Sequence, residues 1–186
     1  MFEQPIFSIG ITTLQLNGLD NNLLCEQIKI HQNGKNIHSE RDMNVNNSCL
    51  NQLNSIVTEH AQKIVDGLTQ NKNVKVNLKR VWGNYNFNHN ICTPHTHRDS
   101  FLSAVYYSKS IDGKIHFYSP WTDGILAHLP FDVPPKQFNQ YNSSFYEINV
   151  KTGMLLLFPA HLSHFVPVSK EERFSIAYDI GCKNNG

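Results

Sequence analysis

The segment Pro94-His95-Thr96-His97-Arg98-Asp99-Ser100 carries two imidazoles and a carboxylate at alternating positions. Alternate side chains of an extended backbone share a face, so this spacing can present its ligand groups to a single ion. Two histidines and one carboxylate on one side of an octahedral Fe(II) leave three positions for a chelating cosubstrate and dioxygen. Such a set needs another histidine from a distant part of the chain. The segment Phe158-Pro159-Ala160-His161-Leu162-Ser163-His164, directly after the apolar run Met154-Leu155-Leu156-Leu157, supplies two candidates. The expected metal ligands are His97, Asp99 and His164. Two alternatives stay open: His95 and His97 as a His-x-His pair with Asp99 only a neighbour, and His161 in place of His164, although the spacing to Arg173 favours His164.

Downstream lie Arg173 and, two residues on, Ser175. On a strand they share a face, where a guanidinium fork and a hydroxyl can bind a carboxylate through charge-assisted hydrogen bonds. The distal carboxylate of 2-oxoglutarate requires such a pair. Ser103 and Tyr107 share parity with His97 and Asp99, so a regular strand would turn them towards the same cavity.

With these residues in view, the chain resembles the 2-oxoglutarate and Fe(II)-dependent oxygenase superfamily, whose pattern is His-x-Asp, a distant His, then Arg-x-Ser. His97-Arg98-Asp99 running into Leu102-Ser103-Ala104-Val105-Tyr106-Tyr107 resembles the first part, and His164 through Arg173-Phe174-Ser175 the second. His95-x-His97 ahead of that strand is most similar to a small uncharacterised group of such oxygenases. The resemblance covers roughly Val74 to Ile180. It implies a double-stranded β-helix, a jelly-roll or cupin-like fold, with Fe(II) between its sheets and 2-oxoglutarate and O2 as co-reactants. It further implies decarboxylation of 2-oxoglutarate to succinate and hydrogen abstraction from a substrate C–H bond, usually ending in hydroxylation. Halogenating relatives have a small residue where Asp99 stands, so Asp99 argues against halogenation. Relatives often place a polar cosubstrate ligand on the strand before the metal motif, which makes Asn84 a candidate beside a core Trp82. Arg173, Ser175, Tyr107 and Asn84 are thus the expected cosubstrate residues.

Those ligands must be positioned by strands, and the chain has the pattern for them. Val74 to Trp82 alternates apolar and polar residues, and short runs follow at Phe101–Ser108, Lys114–Ser119, Phe145–Val150, Met154–Phe158 and Arg173–Ile180, each bounded by turn formers. Pro5 to Ile11 reads as an opening strand. Leu19 to His31, with Asp20 to cap it, reads as a first helix. Leu50, Leu53, Val57, Ala61, Ile64 and Leu68 form one stripe of a second helix. Pro120 to Ser144 has no steady period and reads as an irregular loop, in which Trp121, His128, Phe131 and Tyr141 are possible substrate contacts. The fold class is α+β, mainly β, with two N-terminal helices packed on one sheet. We expect one domain over 1–186, its helical part at about 1–72 and its jelly-roll core at about 73–182.

Composition bounds the partners. With 186 residues, 16 basic and 15 acidic side chains and a formal charge of +1, no excess field draws the protein to nucleic acid or an anionic membrane. No apolar run is long enough to span a bilayer, and the start Met1-Phe2-Glu3-Gln4-Pro5 lacks the features of a signal peptide, which together point to the cytoplasm. Cys25, Cys49, Cys92 and Cys182 are scattered, without Cys-x-x-Cys, and read as reduced thiols. The expected substrate is a peptide, a protein or a small molecule. An alternative of a different class is a cupin-like metal- or ligand-binding module without turnover of 2-oxoglutarate, which would have no need of Arg173.

Overall fold

The computed structural model describes residues 9–32, 43, 47–87, 91–120, 130 and 143–185, leaving out the side chains of 31 and 32. Helix α1 is Asn21–Gln32 and helix α2 is Ser48–Leu68. The strands are β1 (Thr12–Gln15), β2 (Val74–Asn86), β3 (Cys92–His95), β4 (Leu102–Lys109), β5 (Lys114–Tyr118), β6 (Phe145–Asn149), β7 (Met154–Pro159), β8 (His164–Val166) and β9 (Arg173–Asn184).

All pairings are antiparallel and form two sheets, one ordered β1-β7-β4-β9-β2 and one ordered β3-β8-β5-β6. The described residues are therefore mainly β with two helices. Among the described residues the first strand is Thr12–Gln15, the stretch that pairs with Leu157 to Met154, and Ile9 to Ile11 of the expected strand precede it; Pro5 to Ser8 lie outside the described residues. Most of the expected loop Pro120–Ser144 also lies outside them, including Trp121, His128, Phe131 and Tyr141.

The five-stranded sheet is covered on both faces, and its strand β7 accordingly reads as a nearly continuous apolar run. Alternate residues go to opposite sides. Leu102, Ala104, Tyr106, Leu155, Leu157, Phe174, Ile176, Tyr178 and Ile180 face the helices, where Leu24, Ile28, Leu50, Leu53, Val57 and Ala61 pack against them. The α2 stripe is thus satisfied within the chain. Asn47 caps α2 through its side-chain oxygen, which accepts from the amides of Cys49 and Leu50. Between the sheets, Tyr107, Leu156 and Phe158 meet Ile115, Phe117, Val150 and Leu162.

The face of β9 opposite the helices carries Arg173, Ser175, Ala177 and Asp179. In the ladders Tyr107 and Asn84 both stand directly across from Ser175, one on each side, and Ser103 stands across from Asp179. Opposite residues of a ladder share a face, so one row of polar side chains crosses the inner surface of the sheet.

Candidate metal and cosubstrate site

His95 ends β3 and pairs with His164, which opens β8, so the short ladder of the smaller sheet sets these two rings side by side. Their centroids are 4.3 Å apart. His97 lies just past β3, where its amide donates to the carbonyl of Ala160 at 2.9 Å. Its ring stacks on that of His164 at 5.1 Å with an interplanar angle of 8°. Phe158 and Phe117 wall the back of His164, and Trp82 lies against His97.

Each of the three rings has its Nδ1 tied to an oxygen that can only accept. His95 Nδ1 lies 2.8 Å from the carbonyl of Thr93, His164 Nδ1 lies 3.0 Å from the carbonyl of Leu162, and His97 Nδ1 lies 2.7 Å from Oδ1 of Asp179. In the neutral ring Nδ1 must then carry the hydrogen, and Nε2 keeps its lone pair. Among the described residues these three histidines form the one group able to hold a metal ion, with ligand atoms all within 4.8 Å of one another. His97 Nε2 and His164 Nε2 are 3.3 Å apart. Metal–imidazole bonds of about 2.1 Å at a right angle put two nitrogens about 3 Å apart, so the spacing fits one shared ion. Burial first, and then the neighbouring His95 and His97, push the pKa of His164 down to about 4 against the raising effect of its bond to the Leu162 carbonyl. It is a neutral imidazole at physiological pH.

Asp99 stands elsewhere. The extended backbone ends after β3, and Arg98-Asp99 form a turn with Asp99 at φ +61°. The turn carries the chain from the smaller sheet to the larger one, where Phe101 donates to Ile180 and accepts from Ala160. Asp99 is exposed, its carbonyl accepts from Lys79, and its side chain lines an open cleft with Asn77, Ser100, Phe101 and Cys182. Alternation, which sets His95 and His97 on one centre, stops before it reaches Asp99. His161 is exposed and outside the histidine group.

Arg173 is buried at 2% exposure. Its Nη1 has only a long contact of 3.4 Å with the carbonyl of Lys114, its Nε has no partner, and none of the described ion pairs includes it. Burial holds its pKa below the usual arginine value, but a guanidinium remains charged across the physiological range. The hydroxyl of Tyr107 is equally buried and unpartnered, and burial raises its pKa while the charge of Arg173 opposes that rise. A buried cation with one long hydrogen bond and a buried hydroxyl with none leave donors that an anion would satisfy. A dicarboxylate supplies one.

Asp179 was invisible to motif reading, yet a signal existed. It lies an even number of steps from Arg173 along β9, so strand periodicity alone puts it on the same face.

A family model described as "Putative 2OG-Fe(II) oxygenase" matches residues 80–179. Solved structures of similar shape include a Pseudomonas putida prolyl-4-hydroxylase, 14% identical over 94% of this chain and 89% of that chain, with a TM-score of 0.59. The non-haem α-ketoglutarate-dependent epimerase SnoN from nogalamycin biosynthesis is 12% identical over 93% and 78%, with a TM-score of 0.61. HygX from Streptomyces hygroscopicus, solved with nickel and 2-oxoglutarate bound, is 10% identical over 93% and 83%, with a TM-score of 0.60. Likeness at these identities shows the fold alone. No curated protein matches the sequence.

Proposed function

The chain belongs to the 2OG-Fe(II) oxygenase family, and from that premise we propose that its iron is held by the Nε2 atoms of His95, His97 and His164. It is an Fe(II)- and 2-oxoglutarate-dependent oxygenase. The observation that carries the ligand set is the convergence of three Nε2 lone pairs, each ring locked by its own Nδ1 hydrogen bond. Arg173, Tyr107, Ser175 and Asn84 hold the cosubstrate. In support, the unpartnered Nε of Arg173 and the unpartnered phenol of Tyr107 lie on the polar row that also carries Ser175 and Asn84. The two sheets then form the double-stranded β-helix of such enzymes, as one domain.

Bound iron, with 2-oxoglutarate and O2, supplies the oxidising power to break a substrate C–H bond, with succinate and CO2 released. The protein binds and orients. Arg173 pairs with the distal carboxylate, Tyr107 donates to it, and the apolar wall of Leu156, Phe158 and Phe117 keeps water from the space between the sheets. Hydroxylation is the proposed outcome, on a peptide, protein or small molecule. On this three-histidine reading Asp99 is not a ligand and does not bear on the choice between hydroxylation and halogenation. No described helix is long and apolar enough to cross a membrane, and we place the enzyme in the cytoplasm. A module without turnover would leave the buried Arg173 without purpose.

The test is anaerobic Fe(II) titration followed by 2-oxoglutarate, watching the weak visible charge-transfer band of chelated cosubstrate. The band should appear in wild type and in Asp99→Ala, and vanish in His95→Ala, His164→Ala and Arg173→Met. A band that survives His95→Ala and is lost in Asp99→Ala would instead give the iron to His97, Asp99 and His164.

A further inference from the structure

Three imidazoles are neutral ligands, so a three-histidine centre lacks the negative charge that a carboxylate ligand brings to Fe(II). We propose that Asp179 supplies it from outside the coordination sphere, as the positioning residue of His97; this rests on the three-histidine reading above. Two of the three rings are held by neutral backbone carbonyls, those of Thr93 and Leu162. His97 is held by a carboxylate, that of Asp179, at 2.7 Å. Both side chains are nearly buried, at 10% and 11% exposure, where a charge acts through little water.

A bland role for Asp179 would be an ion pair with Arg80, which stands directly across the β2–β9 ladder. That pair is not made. The Arg80 guanidinium lies over the Trp82 ring at 5.3 Å, and the ion pair of Asp179 is with His97. Trp82, across the ladder from Ala177, also packs against the His97 ring at 5.7 Å between centroids, so the ring is held by an aromatic neighbour as well as by the carboxylate.

A carboxylate accepting from Nδ1–H fixes the tautomer, fixes the ring plane and makes the opposite nitrogen a better donor. Asp179 therefore sets where His97 Nε2 points and how much electron density reaches the metal, without touching metal or substrate.

The experiment titrates wild type, Asp179→Asn and Asp179→Ser anaerobically with Fe(II) and with Co(II), and records the melting temperature of each metal-free protein. Asp179→Asn keeps the shape and removes the charge; Asp179→Ser removes both. The expected result is affinity weakened about 10- to 100-fold in both variants, with metal-free melting temperatures close to wild type. The Fe(II)–2-oxoglutarate band of Asp179→Asn should also move to higher energy, because iron facing a poorer donor gives up an electron less readily. Wild-type affinity and an unmoved band in Asp179→Asn would overturn the proposal while leaving the three-histidine site intact. Metal-free variants that fail to fold would overturn it too, by making Asp179 a residue of the fold. Unchanged metal binding in His95→Ala would instead sink the reading on which it rests.

Discussion

His97 and His164 present Nε2 to Nε2 across 3.3 Å, and because each Nδ1 is tied to an oxygen acceptor, the neutral rings keep a lone pair on both facing nitrogens. Two lone pairs at this distance repel each other. A divalent ion that prefers imidazole removes that repulsion, so binding and folding are linked at this point.

Metal should therefore stabilise the protein strongly. At a free concentration of 100 times Kd, a ligand that binds only the folded state adds about 2.7 kcal/mol, which for a chain of this size is a rise of about 5–10 °C in melting temperature. Thermal melts with Co(II) or Zn(II) should show this rise in wild type and lose it in His164→Ala. A wild-type melting temperature indifferent to saturating metal would rule the cluster out as a metal centre.

The metal-free protein should weaken in mild acid. The pKa of His164 falls from an ordinary 6.5 to about 4 on folding, so between these values the unfolded chain binds the extra proton. Stability is then full above about pH 6.5 and declines as the pH falls towards 4, by up to about 3 kcal/mol. Urea unfolding from pH 7 to pH 4 measures the slope, which His164→Leu should flatten.

Gly113 bears on the cosubstrate without touching it. A Cβ there would lie 3.0 Å from Cδ of the buried Arg173 and closer still to Oγ of Ser110. Gly113→Ala should displace the guanidinium and weaken 2-oxoglutarate about 10-fold or more, since a misplaced group sacrifices alignment, while Fe(II) affinity stays near wild type. Isothermal titration of each ligand separates the two effects. Equal losses for iron and 2-oxoglutarate would mean a general distortion instead.

Leu53 marks the seat of the helices on the larger sheet, wholly buried in α2 among Leu24, Ile28 and the outward residues of β4 and β9. Leu53→Ala should cost about 2–5 kcal/mol through lost burial and the cavity left behind. Denaturant unfolding checks this; a loss below 1 kcal/mol would mean that α2 is not part of the cooperative fold.

Much of this was readable along the chain because it depends on neighbours in sequence. The α2 stripe, the strand runs from Val74 onward and the shared face of Arg173 and Ser175 follow from periods of 3.6 and 2.0 residues, which the backbone imposes locally. The same local rule reached its limit at Arg98. Whether Asp99 joins His97 depends on where the chain turns from one sheet to the other, and that is set by hydrogen bonds to Ala160 and Ile180, far away in sequence. The meeting of His95 with His164, the carboxylate of Asp179 behind His97 and the burial of Arg173 outside the described ion pairs are likewise products of strand order and register. Residue spacing determined which side chains could serve a metal and an anion; only the pairing of distant strands decided which of them share a centre, because a period fixes direction along one element and not what the opposite sheet brings to meet it.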